Sequence, residues 1–244
     1  MYRPDKILKT GTSTDPDQPS SPSAATAYVI DIGQPSPAWR AVTSMHFART
    51  FHTLTVLPDG NVLVTGGGPT TAATDTAHAI LQAEMWSPAT ETWTTLGPMH
   101  APRLYHSSAM LMPDARVLIL GGGRFEDTTV ATDQFSAEFF APPYLFRGPR
   151  PAITSAPSSL QYGQPFTVQT PDAARIASVS LLRQASVTHA INMAQRYIPL
   201  AFTAGAGALT VTAPANSNIA TPGNYMLFLV DTNGVPSIAA TVRL

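Results

Sequence analysis

Short apolar runs punctuated by turn residues recur along the whole chain, and helix-period stretches are scarce. Val62-Leu63-Val64 and Val117-Leu118-Ile119-Leu120 are nearly continuous apolar runs, the pattern of strands buried on both faces. Ala83-Glu84-Met85-Trp86 and Glu91-Thr92-Trp93 read as outer strands, with a turn expected over residues 96–99. Lys6-Ile7-Leu8 reads as a strand at the start of the chain, and a degenerate unit closes over residues 39–45.

A repeat organises these runs. Residues 49–68 read RTFHTLTVLPDGNVLVTGGG and residues 103–123 read RLYHSSAMLMPDARVLILGGG. Each copy holds an Arg, an aromatic-His pair, an apolar strand, a Pro-Asp turn, a second apolar strand and a glycine triplet. The copies lie 54 to 55 residues apart, close to the roughly 50 residues of a kelch blade. The fixed φ of Pro58 and the permissive φ of Gly60 preset the turn, and the glycine triplets are expected where the chain leaves a crowded blade. Residues 1–146 therefore predict about three propeller blades. A closed propeller needs about four to eight, and open blades leave unpaired edges, so further blades are expected upstream of Met1.

Arg147-Gly148-Pro149-Arg150-Pro151 is a breaker cluster and marks the boundary. Beyond it, strands are expected over residues 166–169, 176–182, 208–213, 225–230 and 238–244, with turns at Pro222-Gly223 and Asn233-Gly234. This spacing over residues 147–244 predicts an Ig-like β-sandwich, without the Cys…Trp…Cys core of antibody domains. The fold class is thus all-β: the last blades of an incomplete kelch propeller, then a sandwich.

Composition narrows the chemistry. Charged residues are only 12% of the chain and the formal net charge is −1, which gives no electrostatic footprint for nucleic acid. The absence of cysteine excludes disulfides, thiolate nucleophiles and thiolate metal sites. No apolar run approaches the roughly 18 residues of a membrane span, and residues 1–10 lack the apolar core of a secretory signal. The glycine triplets open no helix, so a phosphate loop is excluded.

The stretches FARTFHTLTVLPDGNVLVTGG, RLYHSSAMLMPDARVLILGGG, FFAPPYLF, SVTHAINMAQRYIPL and GNYMLFLVDTNGVPSIAATVRL are similar, in the same order, to the galactose oxidase and glyoxal oxidase family. The resemblance implies a sandwich of the early-set type. It also implies a mononuclear copper centre paired with a tyrosyl radical, in a protein at the cell surface or outside the cell. Three ligand positions carry over: Tyr105 as the axial tyrosine, His106 as the adjacent equatorial histidine, and His189 as the histidine lent by the sandwich. In the family's reaction the axial tyrosinate takes the hydroxyl proton of a primary alcohol, the radical tyrosine removes hydrogen from carbon, and O₂ reoxidises the centre to give H₂O₂. Tyr105 is then the catalytic base, and the partners are a small alcohol or aldehyde, or a carbohydrate. The radical tyrosine, its cross-linked cysteine and a stacking tryptophan belong to upstream blades absent here, so the isolated chain is expected to be inactive and to bind one copper weakly or not at all. Phe51 matches a residue lining the substrate pocket. The sugar-packing aromatic falls at Thr74, which disfavours galactose, and the loop at residues 123–133 lacks the fungal cysteine pair.

Imidazole and phenolate suit a tetragonal Cu(II). Against that stands simple packing, since Phe51-His52 holds the same repeat position and Phe cannot ligate. Consecutive strand residues face opposite sides, so Tyr105 and His106 can share a metal only from a strand end or a bulge. By spacing alone His189 is a polar residue of a hairpin loop. His46, His78 and His100 lie outside the repeat motif and read as surface residues; Asp75, Glu126, Asp127 and Asp133 read as solvated loop charges. Arg49 and Arg103 are expected to anchor their blades through carboxylate or carbonyl bonds. The competing function is a kelch and Ig-like module, without redox chemistry, that binds glycan or protein at the cell surface.

Overall fold

A computed structural model describes residues 1–13, 15, 18, 20–123 and 133–244. The first half forms three antiparallel sheets. β1 (Lys6–Thr10), β2 (Ala27–Asp31) and β3 (Arg40–Val42) pair in that order. β4 (Thr50–Val56), β5 (Val62–Gly68), β6 (Gln82–Ser87) and β7 (Thr92–Pro98) form a four-stranded blade in sequential order. β8 (Ser107–Leu111), β9 (Val117–Gly121) and β10 (Ala137–Phe140) form the next sheet. The apolar runs fall on β5 and β9 as the pattern predicts, and every residue of β5 is buried.

Two local expectations change. Residues 96–98 of the expected 96–99 turn are strand, because β7 continues through Pro98 to pair with Gln82. The first glycine triplet also stays within β5 instead of marking an exit. Gly66 and Gly67 have φ of 74° and 88°. A Cβ on Gly66 would lie 2.4 Å from the Arg103 carbonyl oxygen, and Gly67 N–H donates to that same oxygen at 2.7 Å. The glycines therefore admit the backbone of the following repeat.

The second half is a two-sheet sandwich. β11 (Pro165–Gln169), β12 (Ile176–Arg183), the short hairpin β13 (Val187–Thr188) and β14 (Ile191–Asn192), β15 (Tyr197–Leu200), β16 (Phe202–Gly205), β17 (Ala208–Thr212), β18 (Asn224–Asp231) and β19 (Ala240–Arg243) follow in turn. One sheet runs β11-β17-β16 and the other β15-β12-β18-β19. The sequence pattern located β11, β12, β17, β18 and β19 but not β13 to β16.

The sandwich's larger sheet is buried on both faces along its central strand β18. Along β18, Tyr225, Leu227 and Leu229 join Val179, Leu181 and Leu209 in the sandwich core. Met226 and Phe228, on the other face, join Leu182 and Tyr197 in a core shared with Val64, Trp86 and Ile119 of the blades. Each such buried side chain contributes about 1.5–3 kcal/mol, so the two halves are held mainly by apolar contact. Polar bonds fix the register between them: Arg150 Nη1 donates to Asp114 O at 2.7 Å while its Nη2 donates to Ser237 O at 2.6 Å.

Candidate metal centre

Tyr105 and His106 occupy a turn immediately before β8. Ser107 N–H donates to Leu104 O at 3.0 Å and Gly123 N–H to Tyr105 O at 3.0 Å, pinning that turn from both ends. His106 has φ of 64°, off the strand geometry. Its ring therefore escapes the alternation that would send it to the opposite face from Tyr105, and the two ring centroids lie 3.9 Å apart. This is the strand-end arrangement that the two neighbours need to serve one metal.

His189 and Ala190 form the two-residue tip of the β13–β14 hairpin, with φ of 52° and 62°. Tips with two positive φ angles twist in the sense hairpins favour but usually take Asn-Gly. Filling this one with His and Ala costs on the order of 1 kcal/mol or more per residue. Strain of that kind persists where the surroundings over-determine a functional position. Thr188 Oγ1 lies 2.7 Å from His189 Nδ1 and orients the ring.

The hairpin packs against β8 and β4, the first strands of two successive repeats. Its ring thereby meets the repeat's pair: His189 lies 4.7 Å from His106 and 5.6 Å from Tyr105, centroid to centroid. Phe51, also at positive φ (63°), stands edge-on to Tyr105 at 5.4 Å. The two histidines are exposed, while Tyr105 and Phe51 are half-buried. Two imidazoles and a phenol are thus gathered, a donor set that fits Cu(II). Among the described residues, no group of three or more His, Cys, Asp or Glu side chains is placed to hold a metal. Clefts of about 560 Å³ lie elsewhere, one beside Arg3, Lys6 and Glu91, the other beside Ile153 and Ile238.

His52, which holds the place of His106 in the earlier repeat, turns inward. Its Nε2 lies 2.8 Å from Thr10 Oγ1, and its Nδ1 is enclosed without a hydrogen-bond partner. Burial, reinforced by the Arg49 charge, lowers its pKa to about 3.

Arg49 and Arg103 anchor their blades through carboxylate and carbonyl bonds, as expected, within a larger network. Arg49 and Glu84 form a fully buried ion pair at 2.8 Å, and Arg49 also donates to Gly66 O and Gln82 O. The backbone N–H and Nδ1 of His46 meet the other carboxylate oxygen of Glu84 at 2.7 and 2.9 Å. His100, Arg103 and Glu138 repeat this, with the N–H and Nδ1 of His100 at 2.9 and 3.1 Å from Glu138, and Arg103 also donating to Gly121 O. His46 and His100 are surface residues, yet they belong to the repeat. The signal was a common 54-residue offset in His46/His100, Arg49/Arg103 and Glu84/Glu138. Of the other polar candidates, Asp75 pairs with exposed His78 at 2.8 Å, and Thr74 precedes that pair in a turn. Asp133 follows β9 in the chain, and Glu126 and Asp127 lie outside the described residues.

Residues 9–144 match the family model described as glyoxal oxidase N-terminus, and residues 150–244 match the galactose oxidase-like early set domain. The chain belongs to the galactose oxidase and glyoxal oxidase family. It is 36% identical to a galactose oxidase of Gibberella zeae, over 98% of this chain and 36% of that protein. An aldehyde oxidase of Vitis pseudoreticulata is 31% identical, over 92% of this chain and 46% of its own length. A solved fungal alcohol oxidase in complex with copper superposes with a TM-score of 0.91 at 31% identity, covering 100% of this chain and 53% of that one. The chain thus spans about a third to a half of these family members. The all-β propeller-plus-sandwich reading agrees with this match.

Proposed function

We propose that this chain forms the copper-holding part of an oxidase that converts primary alcohols or aldehydes, with O₂, into the oxidised product and H₂O₂. Tyr105, His106 and His189 hold the metal, Tyr105 is the catalytic base, and Phe51 borders the substrate. The observation that carries the reading is the convergence of three rings from two halves of the molecule, His189 standing 83 positions after His106. Relatives named galactose oxidase, aldehyde oxidase and alcohol oxidase support the substrate class. Residues 1–146 serve as kelch-type blades and residues 147–244 as the Ig-like module that lends His189. Further blades upstream complete the propeller and the radical centre, in a protein acting outside the cell.

Bound copper supplies Lewis acidity and a one-electron redox couple. Tyr105 Oη accepts the hydroxyl proton of the substrate, and the edge of Phe51 against the Tyr105 ring fixes the phenol's orientation. The Thr188 hydroxyl occupies His189 Nδ1 and leaves Nε2 as the donor atom.

The test joins this chain to upstream blades and measures copper content and peroxide release. His189→Ala should lower copper affinity about ten- to a hundred-fold. Tyr105→Phe should keep most of the copper and lose turnover. Unchanged copper binding in the first variant, or unchanged turnover in the second, overturns the assignment. The 244-residue chain alone should release no peroxide from glyoxal, methylglyoxal or galactose.

A further inference from the structure

Between the His189 hairpin and β15, the side chain of Gln195 reaches across to the blades. Its Nε2 donates to Leu54 O at 2.9 Å, and its Oε1 accepts from Val56 N–H at 2.6 Å. Those two backbone groups, a carbonyl and the N–H two residues on, point the same way from a strand. They are the pair that a neighbouring strand residue would satisfy. β4 is an edge strand of its sheet, with β5 on one side only, so both groups face outward. One primary amide, carrying a donor and an acceptor in a single plane, thus stands in for one residue of a missing ladder. Among uncharged side chains only Gln and Asn carry that pair on one amide group, and Asn is one methylene shorter.

The consequence reaches the ring cluster. The hairpin is braced at its base by Asn192, whose Oδ1 accepts from Ser186 N–H at 3.2 Å and Ala194 N–H at 3.3 Å. Within the span from Val187 to Gln195, the hydrogen bonds recorded to β4 are the two made by Gln195. The same β4 carries Phe51 at its start. We infer that Gln195 is the positioning residue that sets how far the His189 hairpin reaches between β4 and β8, and thereby holds His189 against Tyr105 and His106. This deepens the copper reading and rests on it for the consequence at the metal; the placement of the rings stands without it.

The experiment compares the 244-residue chain with Gln195→Leu, Gln195→Glu and His189→Ala. Two readouts are used: ring-to-ring nuclear Overhauser contacts without metal, and the nitrogen splitting in the Cu(II) electron paramagnetic resonance spectrum. In the parent, contacts join His189 to His106 and to Tyr105. Gln195→Leu should lose both while keeping the Tyr105–His106 contact, drop the splitting from two imidazole nitrogens to one, and weaken Cu(II) binding about ten-fold. Gln195→Glu keeps the acceptor for Val56 N–H and sets a carboxylate oxygen against Leu54 O, so it should also lose the contacts. It carries the test if the leucine variant does not fold. Retention of the His189 contacts in a folded Gln195 variant overturns the inference. If instead His189→Ala leaves the Cu(II) spectrum unchanged, the metal assignment fails while the ring contacts still judge Gln195.

Discussion

The two copies of the repeat share a frame and part company at one dipeptide. Each has an Arg reaching a Glu on a later strand of its sheet, and each Glu accepts from a His N–H. In the earlier copy Phe51-His52 lies within β4 and the histidine turns inward to Thr10, with its Nδ1 enclosed. In the later copy Tyr105-His106 sits in the turn before β8, so both rings meet His189. The same scaffold packs a ring in one place and offers donors in the other. What differs is where the strand begins, not the residue spacing.

The largest expected difference between the copies lies in their buried charges. Glu84 is completely buried, whereas 16% of the Glu138 side chain is exposed. Arg49→Met leaves the buried Glu84 carboxyl without its guanidinium partner, which should cost about 3–5 kcal/mol. Arg103→Met strips partners from Gly121 O and Ser136 O, but water can reach Glu138. That loss should be about 1–3 kcal/mol. Urea unfolding of both variants checks the order; equal losses would mean that burial of the carboxylate does not govern the network.

A smaller separation should appear with pH. Because the folded pKa of His52 is depressed to about 3, the unfolded chain binds the proton more readily between pH 6.5 and 3. His52 thus contributes stability that is complete above about pH 6.5 and is lost as pH falls towards 3, on the order of a few kcal/mol in all. In His52→Phe this acid-side slope should flatten, at the expense of the Thr10 bond. Thermal melts from pH 7 to 4 on parent and variant would show it, and parallel slopes would contradict it.

How much of this was legible depends on chain separation and strand length. The long apolar strands β5, β9, β12 and β18 were readable because each buries a run with its own period. The hairpin of β13 and β14 was not, since two-residue strands have no period to detect. Tyr105 and His106 were candidates from their motif, but the φ of 64° at His106 that lets them share a side leaves no mark in composition. Of the Arg–Glu–His frame the two arginines were legible as anchors, whereas their His and Glu partners, 3 and 35 positions away, left only a constant offset between the copies. Gln195 looks like any loop glutamine until β4 is beside it.

The smallest expected difference concerns the turns that begin Pro58-Asp59-Gly60 and Pro113-Asp114-Ala115. They are built alike: Gly60 N–H donates to Leu57 O at 2.9 Å and Ala115 N–H to Met112 O at 2.8 Å. In both, the Asp carboxylate accepts at 3.1 Å from the backbone N–H two residues on. Both third residues are left-handed, with φ of 83° at Gly60 and 65° at Ala115. Only the first has the residue that conformation favours. Gly60→Ala adds the left-handed penalty of about 1 kcal/mol, and its Cβ would lie 2.4 Å from Arg3 Nη1, a flexible group that can withdraw. The expected loss is about 1–2 kcal/mol. Ala115→Gly removes a comparable penalty but restores about 0.5–1 kcal/mol of backbone entropy to the unfolded chain. Ala115 O also keeps its bond from Tyr144 Oη–H at 2.6 Å, which involves no side-chain atom of Ala115. The net change should therefore stay within about 0.5 kcal/mol. A large stabilisation on Ala115→Gly would show that the second turn stores strain the first does not; a loss above about 1 kcal/mol would show that its buried methyl packs better than its φ suggests.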